Sequence, residues 1–128
     1  DFIDQAWPWK QRLGGSMRQS GILAAAGLYA LDHNVKRLAE DHLNAKNLAN
    51  QLAQIPGIKI DPTTVETNIL LINVADAKLS AYDISEKLLL DGVRIGAMGP
   101  DVMRAVTHLD VDEAGITHAA DAFKTICS

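Results

Sequence analysis

Glycine and proline divide this chain into a helical first part and a mixed second part. From Gly15 to Pro56 few residues break a helix, and Ala, Leu, Lys, Glu, Gln and Asn dominate. Beyond Pro56-Gly57 the apolar residues come in short, strand-like runs separated by turn residues. The chain is therefore predicted to begin with helices and to continue as a mixed unit of strands and helices.

Two helices are predicted before the Pro-Gly step. The first, residues 17–31, follows Ser16, where a capping-box pattern begins. Because it is apolar around most of its circumference, we expect it to be buried on several sides. The second, about residues 34–54, is amphipathic. Within it Arg37 and Asp41 lie one turn apart, which is typical of an ion pair on the solvent-exposed side of a helix.

The second part of the chain is predicted to fold as a ββαββα sandwich. Its strands are predicted at residues 58–60, 68–74, 93–97 and 102–108, and its helices at 80–91 and 112–126. The strand at 68–74 is so rich in Ile, Leu and Val that burial on both faces is expected. The predicted fold class is therefore α+β, with two N-terminal helices followed by a small antiparallel or mixed sheet that carries helices on one face.

Composition excludes several classes of function. Among 128 residues, 12 Lys and Arg against 16 Asp and Glu give a net charge of -4, which leaves no positive field for nucleic acid. The single cysteine, Cys127, allows no disulfide framework and no thiolate zinc site, and no metal site is predicted. No apolar run reaches the roughly 20 residues that span a bilayer. These features predict a cytoplasmic protein that binds neither nucleic acid nor membrane.

Arg104 lies in a predicted strand among apolar residues. By strand alternation it shares a face with Val102, Val106 and His108. A guanidinium on a half-buried face requires a carboxylate partner, which arginine binds through two parallel hydrogen bonds. On the pattern alone, an internal salt bridge or an edge strand facing water explains this residue better than a ligand does.

A second feature is Gly14-Gly15, which lies among Lys10, Arg12 and Arg18 ahead of a predicted helix. The free backbone N–H groups of a helix N-terminus favour an anion such as phosphate. A glycine turn before a capped helix, with the charged side chains in water, is the simpler explanation of the same residues.

Five stretches carry the most distinctive residue combinations: WKQRLGGSMRQ at 9–19, GILAAAG at 21–27, RLAEDHLNA at 37–45, Thr67-Asn68, and RAVTHLDV at 104–111. In this order they resemble the low-specificity L-threonine aldolases, which are pyridoxal phosphate enzymes of the aspartate aminotransferase fold, also called fold-type I. The resemblance covers essentially the whole chain and implies the C-terminal part of such an enzyme. Residues 1–31 would be the end of the large domain with a connecting helix, and residues 32–128 the small domain.

The resemblance also implies a chemistry and two site residues. The family cleaves L-threonine or L-allo-threonine to glycine and acetaldehyde. Arg104 matches the arginine that binds the substrate α-carboxylate, and Arg18 matches an arginine near the cofactor phosphate. The lysine that binds pyridoxal phosphate covalently lies upstream in the family, so no catalytic residue is assigned here and Lys10 is not a candidate.

The chain alone is therefore expected to be inactive, with the cofactor held mainly by residues outside it. The partners implied are an amino-acid substrate and further copies of the full-length enzyme, as a tetramer or dimer. The chain departs from the family at two positions: Gln11 stands where a lysine is frequent, with Lys10 or Arg12 as its possible substitute, and Ser16 stands where a third glycine is common. Two alternatives remain open. One is a non-catalytic α+β module for ligand binding or oligomerisation, and the other is the small domain of another pyridoxal phosphate lyase or aminotransferase.

Overall fold

The computed structural model describes residues 1–127, which form two compact units. The first unit is Asp1–Lys36, and the second begins at Arg37. The assignment of residues 1–31 to a large domain and 32–128 to a small domain stays a prediction.

The first unit contains two helices, α1 at Phe2–Arg12 and α2 at Gly21–His33. The start predicted for the second of these, Ser16, is wrong, because Ser16 lies in an irregular segment. The chain leaves α1 through Gly14, which has a φ of 77°, and residues 18–20 then form a turn. Only after that turn does the backbone become helical again.

Helix α2 is exposed in this chain, so the predicted burial on several sides is wrong for it. None of its residues is buried, and Ile22 and Leu31 are 76% and 68% exposed. A unit as short as Asp1–Lys36 has too little chain to surround an apolar helix. Within residues 1–127, no helix is long and apolar enough to cross a bilayer.

We expect the chain to self-associate through this uncovered apolar surface, because large exposed apolar patches drive association. Replacing both Leu23 and Leu28 by Lys should shift the population toward monomer, as measured by light scattering at increasing protein concentration. Leu90→Lys serves as the control, since Leu90 is an exposed leucine of the other unit. A wild-type chain that stays monomeric at high concentration would contradict the expectation.

As far as Cys127, the second unit contains three α-helices and three strands. In chain order they are α3 at Leu38–Leu52, β1 at Ile69–Asn73, α4 at Ala81–Leu90, β2 at Gly96–Ala97, β3 at Val102–Val106 and α5 at Glu113–Cys127, with a short 3-10 turn at Pro62–Thr64. The predicted helices at 80–91 and 112–126 are confirmed to within a residue at each end. The helix predicted from residue 34 begins four residues later, at Leu38.

The strands form one antiparallel sheet in the order β1-β3-β2. The predicted strand at 58–60 is wrong, because only Lys59 pairs there, through an isolated bridge to Asn73. A turn comes before this bridge at Gly57, which has a φ of 86°, and Asp61 caps the 3-10 turn just after it. The chain is thus extended for too short a distance to make a fourth strand.

The core lies on one side of the sheet, against α3, α4 and α5. Leu70 and Ile72 of β1, like Met103 and Ala105 of β3, point into it and are buried with side chains such as Leu52, Leu88 and Phe123. The other side is uncovered: Ile69 and Leu71 are 48% and 59% exposed. The predicted burial of β1 on both faces is therefore wrong, because α3, α4 and α5 cover one face alone. We call the uncovered side the open face; it carries Ile69, Leu71, Val102, Arg104 and Val106.

A capping box at the start of α4 gives the unit a pH-dependent contribution to stability. The Ser80 hydroxyl lies 2.6 Å from an Asp83 carboxylate oxygen, and hydrogen bonds from that hydroxyl and from the Ser80 backbone N–H lower the pKa of Asp83. A carboxyl whose pKa is lower in the folded state stabilises above its unfolded pKa, and this stabilisation is lost as the pH falls through the folded value.

Asp83→Asn should therefore lower the melting temperature at neutral pH, and the difference from wild type should shrink in acid. Thermal unfolding followed by circular dichroism at several pH values measures this. Asp101→Asn is the control, since Asp101 is an exposed aspartate whose side chain takes no part in a cap. If Asp83→Asn lowered the melting temperature by the same amount at all pH values, the explanation would be refuted.

Candidate functional site

Arg104 lies at the centre of the open face. It is a residue of β3, the middle strand, and it is paired with Leu71 of β1 on one side and with Gly96 of β2 on the other. Its neighbours along the strand, Met103 and Ala105, point into the core. The strand is thus anchored on one face and presents the arginine on the other.

Of the simpler explanations of Arg104, the salt bridge and the edge strand do not hold within residues 1–127, although its face of the sheet is exposed to water. Its strand is not an edge strand, because β1 and β2 flank it. No acidic side chain forms an ion pair with its guanidinium in the described part of the chain. The guanidinium is therefore free to bind a carboxylate that comes from elsewhere.

The immediate surroundings of Arg104 leave room for such a ligand. Gly96 has no side chain, and a Cβ built on it would meet no atom within 4 Å. Leu71 on the opposite side and Val106 two residues along the same strand are 59% and 43% exposed and provide an apolar border. A charge-assisted hydrogen bond becomes stronger once apolar groups exclude water, so this border would favour a carboxylate at Arg104 when a ligand or further chain covers the face.

Arg18 lies in the first unit, in the turn of residues 18–20 that leads into α2. It has no ion pair or hydrogen bond of its side chain within residues 1–127, whereas Lys10 lies over the Trp7 ring at 4.4 Å. The helix that follows begins at Gly21 rather than directly after Gly15, which corrects the expected position of its free N–H groups. Arg18 and Arg104 belong to different units.

Sequence reasoning missed a buried polar network beside the site. Asp41 was expected in water but is 3% exposed, and its carboxylate accepts two hydrogen bonds from Arg37, at 3.0 and 3.1 Å. The Thr107 hydroxyl donates to the backbone carbonyl of Asp41 at 2.6 Å. The Asn68 side-chain amide donates to the carbonyl of Thr107 at 2.8 Å. The network thus joins the start of α3 to the end of β3.

One signal in the sequence could have found part of this network. Because Arg104 and Val106 lie on one face of the strand, alternation places Thr107 on the core side, where a hydroxyl must find a partner. The partner itself could not be found this way, since Asp41 is distant in sequence and contributes its backbone carbonyl.

Other candidate chemistry is sparse. Burial raises the pKa of the Cys127 thiol, which disfavours the reactive thiolate. Within residues 1–127 no group of His, Cys, Asp and Glu side chains is placed to hold a metal ion. The open face around Arg104 is therefore the strongest candidate site of the second unit.

Residues 1–77 match the family described as Beta-eliminating lyase. The chain belongs to this family. Among curated proteins it is 42% identical to the low specificity L-threonine aldolase of Escherichia coli K12, over 94% of this chain and 34% of that protein. It is 33% identical to low-specificity L-threonine aldolase 1 of Arabidopsis thaliana, over 96% of this chain and 35% of that protein. The resemblance to threonine aldolases is confirmed, and the chain spans about a third of these relatives' length.

Solved structures share the fold. A cystine C–S lyase, C-DES, in complex with its product cysteine persulfide superposes with a TM-score of 0.66 at 23% identity, over 82% of this chain and 28% of that one. MppP soaked with 2-ketoarginine gives a TM-score of 0.60 at 14% identity, over 77% of this chain and 30% of that one. The α+β fold class expected from the sequence is thereby confirmed, with three strands in place of four.

Proposed function

We propose that this chain is the C-terminal part of a pyridoxal phosphate-dependent aldolase that cleaves L-threonine or L-allo-threonine to glycine and acetaldehyde. The observation that carries the proposal is Arg104, whose guanidinium has no ion pair within residues 1–127 and which lies on the central strand of a sheet whose open face has room for a ligand. The similarity to threonine aldolases over most of the chain supports the substrate class.

In this proposal Arg104 binds the α-carboxylate of the amino acid through two parallel hydrogen bonds. Such a pair fixes the rotation of the substrate as well as its position, so the Cα–Cβ bond is held in the orientation in which it breaks. Pyridoxal phosphate, when bound, supplies the electron sink that accepts the electron pair left on Cα. The role of Arg104 is therefore to bind and to align, and the acid–base groups lie outside this chain.

Arg18 is proposed to contribute to the binding of the cofactor phosphate. Its guanidinium lacks a partner within residues 1–127 and stands just before α2, so its charge suits a phosphate. The residues that would hold the rest of the cofactor are proposed to lie outside the chain, and without them the chain should be inactive.

The large and small domains of the complete enzyme are proposed to divide at residues 31 and 32, with the small domain running to 128. The uncovered apolar surface of α2 supports burial by the rest of the enzyme or by another copy, as in a dimer or tetramer. Cytoplasmic localisation is proposed on the basis of composition.

A carboxylate placed next to Arg104 should compete with the substrate. Gly96→Asp adds one across from Arg104, at a position where a Cβ meets no atom, so the fold should tolerate it. In the complete protein that contains this chain we expect the KM for threonine to rise at least about tenfold, in keeping with the loss of one charge-assisted pair.

The matched control is Gly99→Asp, since a Cβ at Gly99 also meets no atom within 4 Å and this residue is not paired with Arg104. Steady-state kinetics of both variants, beside their melting temperatures, measure the difference. Equal KM values for Gly96→Asp and Gly99→Asp would count against a carboxylate site at Arg104.

The proposed function is tested by assaying the complete protein and this chain side by side. With pyridoxal phosphate and threonine, the complete protein should form glycine and acetaldehyde in equal amounts, and the chain alone should form neither. Release of pyruvate from cysteine with no cleavage of threonine would show that the complete protein is a β-eliminating lyase and not an aldolase. Turnover by the chain alone would show that its own residues complete the site.

A further inference from the structure

Asp41 and Thr107 are the buried polar residues in the described part of the core, and a hydrogen bond joins them. They are 3% and 2% exposed, and the Thr107 hydroxyl donates to the Asp41 carbonyl at 2.6 Å. Burying polar groups in an apolar core lowers stability unless each group is paired. Replacing a buried ion pair by apolar groups of similar size is frequently neutral or stabilising. Stability alone therefore does not explain why this network is present.

Thr107 is held from two sides. Its backbone N–H donates to the Asn68 carbonyl at 2.9 Å, and its own carbonyl accepts from the Asn68 side chain at 2.8 Å. Its hydroxyl is tied to α3 through Asp41, whose carboxylate is in turn held by Arg37. The end of β3 is thus fixed to both β1 and α3.

On the β2 side of the sheet, the end of β3 has no strand partner in the described part of the chain. Strand β2 has two residues, and its pairing with β3 covers Met103 and Arg104 but not Val106. From Arg104 to the end of β3, the described chain holds the strand through β1 and through the Thr107 network. Arg104 is itself paired on both sides, with Leu71 and Gly96, and the contacts three residues further along fix the end of the strand that carries it.

We propose that Thr107 and Asp41 are positioning residues for Arg104. They lie on the core side of the sheet. By fixing the end of β3, they keep the guanidinium of Arg104 in the position in which it binds the substrate carboxylate. This inference rests on the proposed function, because it assigns a role in the binding of that carboxylate.

The test compares Thr107→Val, which keeps the shape and removes the hydroxyl, with Thr107→Ser, which keeps the hydroxyl. Both are made in the complete protein loaded with pyridoxal phosphate. A misplacement of about one ångström can lower the rate by about a hundred-fold, and a smaller one lowers it less. We expect kcat/KM to fall by about ten- to a hundred-fold for Thr107→Val, and we expect near wild-type kinetics for Thr107→Ser.

A second readout separates positioning from general destabilisation. Glycine has the carboxylate that Arg104 is proposed to bind, and glycinamide has a neutral amide in its place. Wild type should therefore bind glycine more tightly than glycinamide. Thr107→Val should lose this preference, whereas a purely structural change would lower the melting temperature and leave the preference intact. The matched control is Thr117→Val, since Thr117 is exposed and its hydroxyl also donates to a backbone carbonyl, that of Glu113, at 3.1 Å.

Should Thr107→Val not fold, Thr107→Cys carries the same comparison, because a thiol is a weak donor of similar size. An active wild type whose Thr107 variants keep both kcat/KM and the glycine preference overturns the positioning role alone. A wild type that neither cleaves threonine nor prefers glycine to glycinamide overturns the proposed function, and the positioning role with it.

Discussion

Arg104→Lys in the complete protein should lower kcat/KM for threonine by about ten- to a hundred-fold, equivalent to roughly 1.5 to 3 kcal/mol of transition-state stabilisation. The change keeps the positive charge but replaces a planar, two-pronged donor by a point donor. Because the carboxylate contact both binds the substrate and aligns the scissile bond, KM should rise and kcat should fall together.

The melting temperature and cofactor content of Arg104→Lys should stay close to wild type, since Arg104 has no ion pair within residues 1–127 to lose. Steady-state kinetics beside thermal unfolding separate the two roles. A variant that melts earlier yet keeps normal kinetics per folded molecule would make Arg104 a structural residue.

Arg37→Met should lower the free energy of unfolding by about 3 kcal/mol or more. This loss should exceed that of any other charged-residue substitution described above. Arg37→Met leaves the Asp41 carboxylate, whose side chain is 4% exposed, without the guanidinium that now binds it at 3.0 Å. An unpaired buried charge is far less favourable than an unpaired surface charge.

Urea unfolding of Arg37→Met measures the loss, with Arg94→Met as its control. Arg94 is an exposed arginine of the same unit, where substitutions change stability by about 0.5 kcal/mol or less. Similar midpoints for the two variants would mean that Asp41 reaches water in solution and that the network contributes little to the fold.

Helices α4 and α5 were the most predictable elements, because their periodicity and caps are local, whereas α1 was not predicted. The Ser80 capping box and the apolar spacing that follows it predict α4 almost to the residue. The capping pattern at Ser16 is equally good locally, but the chain has already turned at Gly14 and is irregular there. A local signal fails where the path of the preceding chain decides the outcome.

Burial could not be predicted from apolar content, since it depends on what the rest of the protein covers. Ile69 and Leu71 were expected inside and lie on the open face, and α2 has no buried residue. Both surfaces are apolar, which is typical of surfaces that contact further parts of a protein. That fits a sequence spanning about a third of its curated relatives' length, 34% for one of them.

The site was predictable only in part. Strand alternation predicts Arg104 on one face with Val102, Val106 and His108. The structure confirms this for the two valines, whereas His108 lies beyond the end of β3. The resemblance to threonine aldolases supplied the role that alternation could not. The buried contact between Thr107 and Asp41 joins positions far apart in sequence, so no local pattern could reveal it.

The most direct test of the central claim is a structure of the complete protein with glycine and pyridoxal phosphate bound. Both carboxylate oxygens of glycine should lie at about 2.7–2.9 Å from the guanidinium nitrogens of Arg104, the usual length of a charge-assisted hydrogen bond. A glycine carboxylate bound by another cation, with Arg104 turned to solvent, would contradict the claim.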